Sequence, residues 1–203
     1  QDVVSADADA LLEGVTGVFM TGGDQMRLTS VLGGTVFAQK LRQLVSETDL
    51  VLAGTSAGAA AMSTAMIVRG EATSHPHKNS VRISPGLGFL KNIIIDQHFT
   101  ERGRISRLIT AVSYNPYNLG IGIDENTAII LNKEGLLEVF GVGTATIVDG
   151  SQITYNEIAE VDDFQPFSVT GVQIHVLRDG LIYDFFGRHP VQPPNEFLLP
   201  DIE

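Results

Sequence analysis

Continuous apolar runs alternate with segments of helical spacing along the first half of the chain. Residues 15–20, 50–53 and 93–95 are short apolar runs closed by glycine or polar residues, and they predict buried strands. Residues 25–32 and 35–45 carry apolar residues at helical spacing. The alternation of strands and helices predicts an α/β fold with a largely parallel sheet flanked by helices.

The second half of the chain has a different pattern. Apolar residues at helical spacing from residue 101 predict a helix that ends at Asn115-Pro116. Short alternating segments after it predict antiparallel strands, with residues 172–177 and 181–185 forming a closing hairpin. The polar segment 71–84 predicts an exposed loop.

Composition limits the classes of function. The 203 residues are 43% hydrophobic and 18% charged, which suits one domain with a substantial core. A net charge of -11 opposes binding to nucleic acid or to an anionic membrane. The low-charge run 50–68 is rich in small residues, which argues against a membrane span. The absence of cysteine excludes disulfides, thiolate metal sites and a cysteine nucleophile.

The segment Gly54-Thr55-Ser56-Ala57-Gly58 has the G-x-S-x-G pattern of a nucleophile turn. An apolar strand precedes it, and the Ala- and Met-rich residues 59–66 predict a helix after it. A tight strand-to-helix turn exposes a serine hydroxyl and needs small neighbours. The alternative is a glycine-rich turn in which Ser56 caps the helix or the helix N-terminus binds phosphate.

Sequence order alone leaves the partners of Ser56 open. His98 follows three consecutive isoleucines, which would hold it at the end of a buried strand. The order Ser56, then Asp124 or Glu125, then His189 would instead fit an α/β-hydrolase and predict an esterase.

Three segments of the chain stand out together: Thr21-Gly22-Gly23-Asp24-Gln25, Gly54-Thr55-Ser56-Ala57-Gly58-Ala59 and Asp96-Gln97-His98-Phe99. In these segments the chain resembles cyanophycinases. Cyanophycinases are serine peptidases related to peptidase E, and they resemble class I glutamine amidotransferases in architecture. The similarity runs through most of the chain and includes residues 120–125.

The resemblance implies a role for each residue of the site. Ser56 would be the nucleophile, His98 the general base and Glu125 the residue that orients the imidazole. The main-chain N–H groups of Gly23 and Ala57 would form the oxyanion hole. No metal or organic cofactor is implied.

The family acts on cyanophycin, a polyaspartate backbone that bears arginine on each side-chain carboxyl, and releases β-Asp-Arg dipeptides. By resemblance, the substrate site would be lined by Gln25, Asp96, Gln97, Arg102, Arg104 and Arg107. Arginine suits this substrate because a planar guanidinium holds a carboxylate with two hydrogen bonds. The alternative for Arg104 and Arg107 is an exposed helix face.

Two other functions remain open at this point. One is a peptidase E-like aspartyl dipeptidase, and the other is a catalytically silent binding member of the fold. We expect a cytoplasmic location, and the resemblance further implies a homodimer. It also implies that residues 1–203 form a single serine-peptidase domain without an N-terminal portion that contributes to the family's central sheet.

Overall fold

The structure is a computed structural model, and it describes residues 7–70 and 72–191. The helices are α1 (Ala8–Leu12), α2 (Gln25–Leu32), α3 (Val36–Glu47), α4 (Ala57–Ala61) and α5 (Ile105–Tyr114), with a 3₁₀ helix at Lys78–Ser80. The strands are β1 (Gly17–Met20), β2 (Val51–Gly54), β3 (Ala65–Gly70), β4 (Val81–Pro85), β5 (Ile93–Gln97), β6 (Leu119–Ile123), β7 (Thr127–Leu131), β8 (Leu136–Gly141), β9 (Thr144–Asp149), β10 (Tyr155–Asn156), β11 (Val169–Thr170), β12 (Gln173–Arg178), β13 (Ile182–Asp184) and β14 (His189–Val191). In these two ranges, no helix has the length and apolar character needed to span a membrane.

Parallel and antiparallel pairing are both present. β1 pairs with β2 and β5 pairs with β6 in parallel. β5 and β6 belong to a sheet of order β12-β9-β6-β5, whose other pairs are antiparallel. A second sheet, of order β14-β13-β8-β7, is antiparallel throughout. The mixed α/β class predicted from the sequence is therefore confirmed.

The predicted closing hairpin is wrong. β12 pairs with β9, whereas β13 pairs with β8 and β14 in the other sheet. The turn between them is held by the N–H of Gly180, which donates to the C=O of Val139 in β8. A turn sequence between two apolar strands therefore carries the chain from one sheet to the next, because both strands have partners that are distant in sequence.

The predicted exposed loop 71–84 also differs from the structure over residues 72–84, while residue 71 lies outside the described residues. The segment contains the 3₁₀ helix and most of β4, which forms an antiparallel pair with β3. Val81 and Ser80 are buried there. The predicted helix at residues 59–66 is likewise shorter, since α4 ends at Ala61 and β3 begins at Ala65.

The core surrounds β5, the strand that leads to the candidate site. Ile93 and Ile95 face a cluster between the two larger sheets that includes Tyr183. Ile94 faces the opposite side and packs with Leu108 of α5. Because successive side chains of a strand point to opposite faces, the three isoleucines anchor β5 from both sides. The carboxyl end of β5 is therefore firmly positioned.

Candidate active site

Ser56 occupies the turn between β2 and α4. Its backbone has φ 50° and ψ -117°, a left-handed region that a residue with a Cβ adopts at a cost of about 1–3 kcal/mol. The Ser56 C=O accepts from the N–H of Ala60, but its hydroxyl makes no capping hydrogen bond to α4. The hydroxyl is therefore not used to cap the helix, and its hydrogen bond is made elsewhere.

Glycines on each side of Ser56 permit the close approach of neighbouring backbone. A Cβ at Gly58 would lie 2.2 Å from the C=O oxygen of Met20 in β1, and one at Gly54 would lie 2.8 Å from the nitrogen of Ala59. Any side chain at either position would displace backbone rather than a flexible side chain. These close backbone contacts explain why both outer positions of the G-x-S-x-G pattern are glycine.

Ser56, His98 and Glu125 are joined by two hydrogen bonds. The Ser56 Oγ lies 3.1 Å from His98 Nε2, and His98 Nδ1 lies 2.8 Å from Glu125 Oε1. This arrangement gives the serine a base within reach and gives the base a carboxylate on its other nitrogen. The three residues named from the sequence are therefore adjacent in the fold.

The turn that carries His98 is fixed by the residue after it. His98 has φ 50°, and the Phe99 N–H donates to the C=O of Ile123 at the end of β6. Phe99 is buried, and its ring lies so close to Gly122 that a Cβ there would come within 2.4 Å of it. The ring of Phe99 therefore anchors the imidazole against β6.

Asp124 is a supporting residue that the sequence analysis treated only as an alternative acid. Its Oδ1 accepts from the Thr100 N–H at 3.1 Å, and its Oδ2 accepts from the N–H and hydroxyl of Thr144 at 2.9 and 2.8 Å. Burial acts to raise the Asp124 pKa, but the hydrogen bonds from Thr144 and Thr100 outweigh it and lower the pKa overall. Asp124 thus connects the turn after His98 to the strand end that carries Glu125.

Glu125 itself is held through its backbone. Its N–H donates to Glu101 Oε1 at 3.0 Å, and its C=O accepts from the Thr127 hydroxyl at 3.2 Å. The sequence indicated only that two acids, Asp124 and Glu125, follow each other at the end of a predicted strand. It did not indicate that Glu125 contacts His98 while Asp124 binds backbone N–H groups.

The two residues expected to supply the oxyanion hole flank Ser56. Ala57 is the first residue of α4 and is buried. Gly23 lies in the turn after β1 with φ 142°, and a Cβ on its neighbour Gly22 would lie 3.4 Å from the Ser56 Cβ. Both backbones therefore run beside Ser56.

A buried ion cluster is centred on Asp96, which precedes His98 by two residues in the sequence. Asp96 has no exposed surface, and its Oδ2 accepts from Arg107 Nε at 2.7 Å while its Oδ1 accepts from Arg107 Nη2. Arg104 Nη1 donates to Asp96 Oδ1 at 3.3 Å and to the C=O of Gln97. Arg104 and Arg107 therefore do not lie on an exposed helix face, which was the alternative interpretation of these residues. Arg104 precedes α5, which begins at Ile105 rather than at residue 101 as predicted.

The remaining residues expected at the substrate site are more accessible. Gln25 is half-buried at the start of α2, and its Nε2 donates to the C=O of Ile67 at 3.0 Å. Arg102 is exposed and has no ion pair among the described residues. The structure therefore brings Asp96, Gln97, Arg104 and Arg107 into one cluster and leaves Arg102 at the surface.

His189, the alternative base, lies in β14. Its Nε2 is 3.9 Å from Asp184 Oδ2 and its Nδ1 is 3.2 Å from the Pro190 carbonyl oxygen. The imidazole that contacts Ser56 is that of His98.

An α/β fold that joins a serine on a strained strand-to-helix turn to a histidine and a carboxylate has the site of a serine hydrolase. Comparison with known sequences narrows this class. The profile described as Peptidase family S51 matches residues 3–139. The chain belongs to peptidase family S51.

Curated relatives support the resemblance to cyanophycinases. The chain is 41% identical over 193 residues to a protein named cyanophycinase from Synechococcus elongatus, covering 95% of this chain and 59% of the relative. It is 42% identical over 184 residues to a cyanophycinase from Nostoc sp., covering 91% of this chain and 62% of the relative. For a cyanophycinase from Geminocystis herdmanii the identity is 40% over 187 residues, covering 92% and 68%. The chain thus spans about three fifths of the length of the first two of these relatives.

The steric role of Gly58 predicts a specific sensitivity. Gly58→Ala would place a methyl group against the Met20 carbonyl, so we expect it to destabilise the protein by about 3 kcal/mol. Gly17→Ala in β1 is the matched control, because its Cβ would lie at an ordinary 3.5 Å from the Val51 carbonyl oxygen. Denaturant unfolding of both variants measures the difference, and equal stabilities would contradict the steric explanation.

The hydrogen bonds to Asp124 predict a pH-dependent loss of stability. Asp124→Asn should lower the free energy of unfolding at neutral pH by about 2 kcal/mol, since charge-assisted hydrogen bonds are lost. The folded-state pKa lies below the ordinary value of 3.8, so the stabilisation is present above pH 3.8 and disappears as the pH falls through the folded-state pKa.

Urea unfolding at a series of pH values tests this expectation. Asp49→Asn is the control, since that carboxylate is fully exposed in a surface ion pair with Lys133 and contributes little. If the difference in unfolding free energy between the wild type and Asp124→Asn grew on acidification, the explanation by a lowered Asp124 pKa would be wrong.

Proposed function

We propose that the full-length protein is a serine exopeptidase that hydrolyses cyanophycin to β-Asp-Arg dipeptides. The observation that carries the proposal is the pair of hydrogen bonds from Ser56 to His98 and from His98 to Glu125, in a chain of family S51. Relatives at about two fifths identity bear the name cyanophycinase.

The proposed reaction proceeds through an acyl-enzyme. His98 Nε2 takes the Ser56 proton as Oγ attacks the backbone carbonyl carbon of an aspartyl residue. The N–H groups of Gly23 and Ala57 stabilise the oxyanion, and Glu125 stabilises the imidazolium. The C–N bond then breaks, and the leaving amine takes the proton from His98. Water, deprotonated by His98, attacks the ester and releases the dipeptide with Ser56 regenerated.

Electrostatics near His98 support a substrate that carries carboxylates. The buried cluster contains two guanidinium groups, those of Arg104 and Arg107, and one carboxylate, that of Asp96. The cluster therefore has a net positive charge in a region shielded from solvent, where charge acts more strongly than in water. Arg104 keeps part of its side chain accessible and is the member best placed to meet substrate.

The peptidase E-like dipeptidase remains the main alternative. It would use the same nucleophile and base but would cleave after an N-terminal aspartate. The names of the relatives favour the polymer over the dipeptide. Product identity distinguishes the two, because only cleavage of cyanophycin releases β-Asp-Arg.

We further propose that β1 and β2 join β5 and β6 in one largely parallel sheet of the full-length protein, to which a portion outside residues 1–203 contributes. Phe19 and Val51 support this, since they are 64% and 66% exposed although parallel strands are normally covered on both faces. The partial coverage of the relatives is consistent with it. A single domain, a homodimer and a cytoplasmic location stay predictions.

The assignment of the base predicts different effects for two histidines. His98→Ala should reduce cleavage of cyanophycin by about 10³-fold or more, because the serine loses its proton acceptor. His189→Ala is the matched control and should keep activity within about twofold, since surface changes of this kind have small effects. Dipeptide release from cyanophycin granules provides the measurement, with Ser56→Ala as the inactive reference.

The opposite pattern, activity that survives without His98 but not without His189, would overturn the triad. Turnover of a generic ester in parallel would then identify an esterase. Cleavage of Asp-X dipeptides without action on the polymer would select the peptidase E-like alternative.

Arg104 provides a separate prediction about substrate binding. Arg104→Ala should raise KM for cyanophycin by about tenfold, the effect of losing one charge-assisted contact. Arg107 still pairs with Asp96 in this variant, so Ser56 should react normally with a fluorophosphonate probe. The exposed Lys91 gives the control Lys91→Ala, which lies at the opposite end of β5. Equal loss of probe labelling and polymer cleavage in Arg104→Ala would mean that Arg104 is structural.

A further inference from the structure

Two arginines stand directly opposite each other on β3 and β4. Arg69 and Arg82 are register partners immediately after a shift in the pairing between Ile67 and Arg69. Directly opposed residues of an antiparallel pair have their side chains on the same face, and like charges there are destabilising. Both arginines are exposed.

Neither guanidinium has an ion pair or hydrogen bond among the described residues. This contrasts with Arg104, Arg107 and Arg188, each of which is paired with a buried aspartate. The chain has 24 acidic and 13 basic residues, so an unpaired cationic pair goes against its general composition. An exposed pair of cations without an internal partner is available to a carboxylate or another anionic group of a ligand.

The two arginines line a surface cavity of about 350 Å³, which we call the arginine-pair site. The other polar and aromatic residues of its lining are Thr73, His77, Asn79, Ser80 and Phe164. His77 Nδ1 is buried and has no hydrogen-bond partner among the described residues. The His77 ring lies 6.4 Å from that of Phe164, which is 77% exposed. The cavity therefore combines two cations with an imidazole and an open aromatic face.

The arginine-pair site borders the elements that carry His98 without sharing a residue with them. Gly70 lines the cavity, and its C=O accepts from Arg107 Nη1 at 2.8 Å. Arg107 in turn holds Asp96, two residues before His98. Ala72 approaches Gly103 in the turn between His98 and α5. The cavity is therefore linked through Arg107 and Asp96 to the strand end that carries His98.

We propose that the arginine-pair site binds arginyl side groups of the polymer, away from the bond that is cleaved. This rests on the proposed function. Arginine attached through its α-amino group keeps a free α-carboxylate, which Arg69 and Arg82 hold by charge-assisted hydrogen bonds. The guanidinium of the same group stacks on the Phe164 face, beside the exposed Asp162 and Asp163.

A repeating polymer gains from a second site even when each contact is weak. Once one arginyl group is bound here, the next groups are held near Ser56 at a high effective concentration. A two-repeat peptide has no such distant group, because its only two arginyl groups flank the bond that is cleaved. The site should therefore affect KM for the polymer and leave the cleavage of a short substrate unchanged.

Binding and cleavage are measured separately to test the proposal. In a Ser56→Ala background of the full-length protein, titration calorimetry with soluble cyanophycin compares Arg69→Gln/Arg82→Gln with Lys91→Gln. We expect the double variant to bind about tenfold more weakly, the loss expected from one or two charge-assisted hydrogen bonds, and Lys91→Gln to be unchanged. Arg69→Lys/Arg82→Lys should lie between them, because lysine keeps the charge without the planar fork.

With Ser56 restored, the double glutamine variant should raise KM for the polymer at constant kcat and leave cleavage of a two-repeat peptide unaltered. Its melting temperature should not fall, since a repulsive pair is removed. Unchanged polymer affinity in the double variant would overturn the proposal, and so would an absence of polymer binding by the Ser56→Ala protein. Binding that depends on Arg69 and Arg82 in a protein that does not cleave the polymer would support the site and refute the proposed function.

Discussion

The buried contact between Asp96 and Arg107 connects the parts of the molecule on which the site depends. Asp96 is the fourth residue of β5, Arg107 lies in the first turn of α5, and a further N–H of Arg107 holds the Gly70 carbonyl at the end of β3. Three elements are thus tied at one point, two residues from His98. Loss of Asp96 would leave the buried guanidinium of Arg107 without its counter-ion, which typically destabilises a protein by about 3–5 kcal/mol. The geometry near His98 is therefore coupled to the stability of the fold.

The turn that carries Ser56 depends on a different constraint, which is steric. Ser56 adopts a positive φ because β2 must turn into α4 while passing close to β1, and the glycines at positions 54 and 58 allow that approach. The strain stays local because α4 is buried along its whole length and packs against β2 and β5. Serine and histidine thus reach each other from two rigid strand ends, and both carry positive φ angles. A site of this kind is organised before substrate arrives.

Sequence reasoning succeeded where one local pattern determined the outcome. The isoleucine run at residues 93–95 predicted a buried strand, and the motif around Ser56 predicted a strand-to-helix turn, because burial and tight turns leave signals within a few residues. The hairpin at residues 172–185 failed because strand pairing depends on distant partners, here β8 and β9. The start of α5 was placed four residues early, since Arg104 has helical spacing but turns toward Asp96. The pairing of Arg69 with Arg82 had no sequence signal, because the shift after Ile67 sets which residues face each other.

Charge distribution gives these features a common interpretation. The chain as a whole is acidic, with a net charge of -11, yet the buried cluster at Asp96 has an excess of guanidinium, and the Arg69 and Arg82 pair is purely cationic. A simple polyanion would be repelled at long range by the overall charge and attracted only at contact. A polymer whose repeating groups carry both a guanidinium and a carboxylate meets no such conflict, since its cations respond to the acidic surface and its carboxylates to the local arginines. The negative net charge and the local arginine clusters together therefore fit the proposed zwitterionic polymer better than a purely acidic one.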